Sequence, residues 1–187
     1  MNNTEKILLI LDLDETLIHA TETRLDIESD FKYADYYVYK RPNLTTFLKE
    51  MGKHFKLAIW SSADDKYVSD IVELIKPADI KLEFIWARSR CTKKRDYELD
   101  RYVQEKRLKK IKKQGFRLEK SLIVDDSPEK TRDNFGNAIY VNPYEGDTKD
   151  CELNLLSEFL ISMKDSENVR AIEKRGWKNK KTAYNKG

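Results

Sequence analysis

Two acidic clusters hold the residues of this 187-residue chain best suited to chemistry. The first, Asp12-Leu13-Asp14-Glu15-Thr16, follows the unbroken apolar run Ile7–Leu11. The second, Asp125-Asp126-Ser127-Pro128, follows Ser121-Leu122-Ile123-Val124. A carboxylate such as Asp12 can attack a phosphoryl group and form an aspartyl-phosphate. Both partners are anions, so the attack needs a cation between them. Mg²⁺ suits this because it prefers oxygen ligands, and it tolerates few protein carboxylates alongside waters and phosphate. Asp125 and Asp126 supply further carboxylate oxygens. Asp14 is then free to protonate a leaving alcohol and afterwards to activate water as a base. Crowding beside Asp12 favours a raised pKa for that task. A calcium loop would share the D-x-D-x-T pattern, but it needs Gly sixth and Glu twelfth. Leu17 and Thr23 stand at those places and exclude it.

If the backbone stays extended, Asp12 and Asp14 face the same side of the sheet; if it turns, one aims at the ligand while the other offers its carbonyl. What brings the clusters together must be read from the elements around them. Ile7–Leu11, Lys56–Trp60, Lys81–Ala87, Ser121–Val124 and Ala138–Val141 read as buried strands. A helix starts at Arg41-Pro42-Asn43, carries Leu44, Phe47, Leu48 and Met51, and stops at Gly52. A second, capped by Asp64 or Asp65, carries Val68, Ile71, Val72 and Ile75. Arg88–Leu99 reads as a charged loop, and Arg101–Gln114 as a basic helix closed by Gly115. Leu153, Leu156, Leu160 and Met163 form the stripe of a last helix. The polar, then aromatic stretch Thr21–Lys40 reads as a small antiparallel flap. Alternating strands and helices imply an α/β fold: a Rossmann-like parallel sheet with helices on both faces. Ligands of such sheets bind at the carboxyl ends of strands near the switch in winding. Three strands end in polar clusters, at Asp12, Ser61-Ser62 and Asp125-Asp126. If they are neighbours, the clusters share one rim. Ser61 would then offer phosphoryl oxygens a hydroxyl and a backbone N–H, and a lysine of the basic helix a compact cation.

The bulk composition is compatible with this reading. Forty per cent hydrophobic residues supply one core, and the 37% that are charged nearly cancel to +3. That balance requires neither a nucleic-acid nor a membrane partner. Cys91 and Cys151 form no CxxC or Cys/His cluster, which argues against zinc. The longest apolar run falls far short of the ~20 residues that span a bilayer, and the N-terminus carries no signal-peptide pattern. The expectation is a cytoplasmic monomer with one domain over residues 1–163, the flap at 21–40, and a basic helix or tail over 164–187.

The sequence resembles the haloacid-dehalogenase superfamily of phosphotransferases. Its closer similarity is to the NLI-interacting factor-like branch, which holds the phosphatases of the RNA polymerase II carboxy-terminal domain. LDLDETLIHA, YVYKRPNLTTFLKEMGKHFKLAIWSSADDKY, EKRLKKI and LIVDDSP carry the resemblance, in order, from about Lys6 to Tyr144. It implies a Mg²⁺-dependent phosphatase acting through phospho-Asp12. Asp12 is then nucleophile and metal ligand, and Asp14 is acid/base and gives its carbonyl to the metal. Thr16 shapes the loop, and Ser61 holds the phosphate; apart from the resemblance, Ser62 either adds a hydrogen bond to phosphate or caps the next helix. Asp126 is the metal-binding acid, with Asp125 orienting the lysine or a metal water. The family's lysine precedes any residue and then Leu, which selects Lys106. The stretch up to Asp125 is slightly long, so Lys109 and Lys110 stay as alternatives.

Arg88 and Arg90 stand where substrate selectivity is often set. The small flap leaves an open rim, which favours a phosphoprotein over a small phosphomonoester. Tyr33, Tyr36, Tyr37 and Tyr39 pack the flap or wall the substrate, and His19 is read as structural. Two other functions compete. One is a binding module that keeps the fold without catalysis. The other is a phosphatase of nucleic-acid ends or nucleotides, which rests on the basic tail with Trp177.

Overall fold

The computed structural model describes residues 5–179 apart from Leu99 and Phe135. In chain order the elements are β1 (Leu8–Leu11), β2 (Ile18–Thr21), β3 (Phe31–Tyr33), β4 (Tyr36–Lys40), α1 (Leu44–His54), β5 (Lys56–Trp60) and α2 (Asp65–Ile75). There follow β6 (Leu82–Trp86), β7 (Thr92–Asp96), β8 (Arg101–Glu105), β9 (Ser121–Asp125), α3 (Pro128–Thr131), β10 (Ala138–Tyr140) and α4 (Glu152–Ser162). Five strands form a parallel sheet in the order β10-β9-β1-β5-β6.

The apolar run of β1 is continuous because both faces of its strand are covered. Leu9 and Leu11 join Leu57, Ile59, Leu122 and Val124 against the buried stripes of α1, α2 and α4. Leu8 and Ile10 face the other way, with Ala58, Trp60, Ile123, Leu108 and Ile111. This alternation fixes where the acids go. Leu11 pairs with Val124, so Asp12 and Asp125 leave neighbouring strands side by side. By the two-residue period both follow Ile10 and Ile123 toward the face covered by Leu108 and Ile111. The winding reverses between β1 and β9, so the acids lie at the switch point.

Several elements differ from the sequence reading. Helix α1 does not stop at Gly52 but runs to His54. A Cβ at Gly52 would lie 2.7 Å from the Ile80 side chain, so this glycine serves close packing rather than termination. The charged stretch after β6 is not one loop: Arg88–Arg90 forms a 3₁₀ turn and β7 follows. The basic helix expected over Arg101–Gln114 is instead strand β8, paired antiparallel with β7, and then 3₁₀ turns over Leu108–Gln114. Leu108 and Ile111, three apart, are stacked by a three-residue turn as well as by an α-helix. The flap begins at Ile18, with strand order β2-β4-β3. Among the described residues no helix is long and apolar enough to cross a membrane.

After α4 the chain folds back on the body. Val169 and Trp177 are buried, and Lys174 Nζ donates to the carbonyls of Gly136 and Ile172, each at 2.8 Å. The Trp177 indole stacks on Phe159 and donates to the Tyr140 carbonyl at 2.8 Å. Its ring is therefore not available to stack on a base, which removes the aromatic half of the nucleic-acid reading. Residues 180–187 of that tail lie outside the described residues.

Candidate active site

Asp12 is buried at the tip of β1, its N–H bonded to the Val124 carbonyl at 2.9 Å. Lys106 Nζ lies between two carboxylates, 2.5 Å from Asp12 Oδ1 and 2.7 Å from Asp125 Oδ2. Its side chain is fully buried. The lysine reaches them not from a helix but from the residue after β8. There its N–H donates to the Lys130 carbonyl at 2.7 Å and its own carbonyl accepts from Asn134 Nδ2 at 2.5 Å. Burial disfavours the ammonium, but the charges and hydrogen bonds of Asp12 and Asp125 outweigh it and hold Lys106 protonated. Asp125 is pushed up, first by burial and then by the Asp12 charge, with Lys106 opposing. Lys110 instead donates to the carbonyls of Arg90 and Cys91, and Lys109 lines a separate cavity. Of the three lysines, Lys106 is the one that reaches the acids.

Asp126 completes the cluster. One oxygen from each of Asp12, Asp125 and Asp126 lies within 4.8 Å of the others. Asp126 Oδ2 accepts from the Ser127 hydroxyl at 3.0 Å, while its buried Oδ1 has no hydrogen-bond partner among the described residues. A buried carboxylate oxygen without a partner is costly. An all-oxygen donor set with a spare buried ligand atom fits a hard divalent cation.

Leu13 ends the extended run. Its carbonyl accepts from the N–H groups of Thr16, Leu17 and Ile18, and Glu15 turns at φ 57°. The chain has begun to turn, so Asp14 leaves the Asp12 face and points toward β5 and α2. Ser61 Oγ donates to its Oδ2 at 3.2 Å and the Tyr67 hydroxyl to its Oδ1 at 2.6 Å. Burial pushes the Asp14 carboxyl up against the hydrogen bond from Tyr67, and the Asp12 charge adds to the rise. Glu15 is raised to about 7 by burial and by Asp14 and Asp126. Thr16 is buried, its hydroxyl 3.5 Å from Asp12 Oδ2. Ser62 follows Ser61, and its carbonyl accepts from Arg88 Nε at 3.0 Å.

Arg88 also lines a cavity of about 510 Å³ beside Asp14, with Tyr33, Tyr36 and Tyr67 among its walls. Arg90 lies over the Trp86 ring. Of the flap tyrosines, Tyr33 and Tyr36 face the cavity. Tyr39 is buried, and Tyr37 lies under the Lys32 ammonium. His19 stacks with Tyr39 and sits 3.3 Å from Glu15 Oε1.

Three contacts here were not legible in the sequence. Tyr67 gave no signal beyond its place in the first turn of a helix starting at the Ser61 rim. Lys130, in the turn after Asp126, adds a positive charge that opposes the rise of Asp14, Asp125 and Asp126. Arg41, read only as a helix start, is a buried clamp. It donates to the Thr16 carbonyl at 3.0 Å, to the Asn142 carbonyl at 2.9 Å, and with two nitrogens to Asp150 at 2.9 and 2.8 Å. Burial raises Asp150, but the hydrogen bonds and charge of Arg41 leave it below its ordinary 3.8. The stabilisation from this pair is therefore present above that range and lost as pH falls through the depressed value. Arg41→Ala leaves the Thr16 carbonyl and a half-buried carboxylate without their cation. It should cost about 3–5 kcal/mol in denaturant unfolding.

A sheet wound in this order, with an acid loop after its central strand, defines the haloacid-dehalogenase class of fold. Consistent with this, the solved structure titled "The Structure of Fcp1, an essential RNA polymerase II CTD phosphatase" superimposes with a TM-score of 0.58 at 20% identity. That match covers 80% of this chain and 45% of that one, and at this identity the likeness is one of fold. Within the class, the profile of NLI interacting factor-like phosphatases matches residues 7–170, and the chain belongs to that family. It is 29% identical over 176 residues to CTD small phosphatase-like protein 2 of Dictyostelium discoideum, covering 90% of this chain and 29% of that protein. It is 26% identical over 180 residues to the human carboxy-terminal domain RNA polymerase II polypeptide A small phosphatase 1, covering 91% and 64%. The chain thus spans less than two thirds of the length of either relative.

Proposed function

We propose that this chain is a Mg²⁺-dependent phosphomonoester hydrolase that works through an aspartyl-phosphate on Asp12. The observation that carries the reading is the convergence of Asp12, Asp125 and Asp126 around Lys106, with one buried Asp126 oxygen left over. Asp12, Asp126 and the Asp14 carbonyl would hold the ion, which when bound supplies the positive charge that lets a carboxylate approach a phosphate.

The chain's own residues do the rest. Lys106 engages Asp12 Oδ1 and balances charge around the nucleophile, while Oδ2 has the long contact from Thr16. Attack of an Asp12 oxygen on phosphorus forms the acyl-phosphate and expels the alcohol, which takes a proton from Asp14. The raised Asp14 carboxyl suits proton donation. Water then attacks phosphorus, gives its proton to Asp14, and regenerates Asp12. Ser61 Oγ accepts from the Ala63 N–H at 3.0 Å, and by turning its hydroxyl away from Asp14 Oδ2 it becomes a donor to phosphoryl oxygen. The open cavity beside Asp14, walled by Tyr33 and Tyr36 with Arg88 at its edge, suits a phosphorylated side chain on a peptide.

The test is phosphate release from a phosphoserine peptide with and without Mg²⁺. Release should require the ion, and Asp126→Asn should weaken it. Mg²⁺ at about 100 times its Kd should stabilise the wild type by about 2.7 kcal/mol in thermal unfolding, and Asp126→Asn far less. Equal release after chelation would contradict the reading.

A further inference from the structure

Two hydroxyls hold the Asp14 carboxylate, and they are not equivalent. Ser61 is the looser one, at 3.2 Å, and in the proposed reaction its hydroxyl turns to the phosphate. Tyr67 is at 2.6 Å, within the length expected of a hydroxyl bonded to a charged carboxylate. Once substrate claims Ser61, Tyr67 is the hydroxyl that still fixes the orientation of Asp14.

Its own placement is rigid. Asp64 caps the helix by accepting from the Lys66 and Tyr67 N–H groups, and the next residue, Val68, is anchored in the core. The flap grips the Tyr67 ring from outside, with Tyr33 and Tyr36 edge-on at 5.6 and 6.4 Å. Tyr33 is itself tied to the same helix by a 2.7 Å bond to Asp70.

We propose that Tyr67 is a positioning residue for proton transfer: its hydroxyl pins Asp14 Oδ1 so that Oδ2 faces the leaving-group oxygen. The proposal rests on the phosphatase reading above. Asp14 Oδ2 releases its proton to the departing alkoxide as the phosphorus–oxygen bond breaks and the Asp12–phosphorus bond forms. It takes a proton back from the water that opens the acyl-phosphate. Tyr67 acts only by holding Asp14 Oδ1 and exchanges no proton itself. Through this contact the flap seats the acid as well as walling the cavity.

Tyr67→Phe removes the hydroxyl and keeps the ring, so the packing with Tyr33 and Tyr36 survives. On a phosphoserine peptide, kcat should fall about 10- to 100-fold with KM within about twofold. On nitrophenyl phosphate, whose leaving group needs no proton, the burst of phenolate release should fall much less. In an Asp14→Asn background the substitution should cause no further loss. Full kcat with a raised KM would make the hydroxyl a substrate contact and overturn the inference. So would a loss that multiplies with that of Asp14→Asn. An inactive wild type would instead overturn the phosphatase reading and this inference with it. An active wild type with an inert Asp14→Asn and a fully active Tyr67→Phe would overturn the inference alone.

Discussion

Replacing Asp12 by asparagine is expected to lower turnover of an aryl phosphate by at least about 10⁴-fold, the scale of losing an enzyme's nucleophile. The chemical reason is direct: an amide oxygen does not form the acyl-phosphate. The substitution should leave the fold in place. An asparagine oxygen can still accept from Lys106, and the repulsion between Asp12 and Asp125 disappears. The thermal midpoint should therefore hold or rise while kcat collapses. Steady-state kinetics alongside thermal unfolding checks both. Turnover within tenfold of wild type would place the nucleophile elsewhere.

The second large effect is on stability. Lys106→Met removes the cation that bonds both Asp12 and Asp125, leaving two buried carboxylates face to face. Breaking a buried pair costs about 3–5 kcal/mol because the remaining charge is uncompensated. Here two carboxylates remain, and Asp125, already pushed up by burial and the Asp12 charge, takes up a proton once Lys106 is gone, so a loss within that range is expected in urea unfolding. Adding Asp125→Asn should restore part of the loss by removing one of them. If Lys106→Met unfolds like wild type, the Asp12–Lys106–Asp125 contact contributes nothing to the native state. Activity should fall as well, by about 10²- to 10³-fold, since the cation that balances charge around the nucleophile is gone.

Which parts of this could be read from the sequence follows from where each part gets its stability. The strands at Ile7–Leu11 and Lys56–Trp60 were legible because both sheet faces are buried, so the apolar signal is dense and local. The stripe Val68, Ile71, Val72, Ile75 was legible for the same reason, and Asp64-Asp65 marked its start, with Asp64 proving to be the cap. The acids at the strand tips stood out because polar clusters after buried strands need an explanation. The β7–β8 hairpin was not legible. Its sequences, TKKRD and RYVQE, bury little beyond Val103, Asp96 and Glu105. It is held by its backbone ladder, by the cross-strand pair Lys94–Glu105, and by the distant Arg132 against Asp96. Charge density in a strand of this kind reads locally as loop or helix. The role of Gly52 was missed because its cause, Ile80, lies on another segment. Lys106 was found by motif, but its delivery from the end of a strand was not. The Arg41 clamp and the Tyr67 contact depend on partners 25 to 109 and 53 residues away, which no local pattern reveals.

The most direct test of the central claim is to quench the enzyme in acid during turnover with Mg²⁺ and map any covalent phosphoryl group by mass spectrometry. The account predicts one acid-stable, alkali-labile phosphoryl group on the peptide containing Asp12, absent from Asp12→Asn and accumulating when Asp14 is replaced by asparagine. Steady phosphate release from the wild type with no phosphorylated Asp12 at any time point would contradict it.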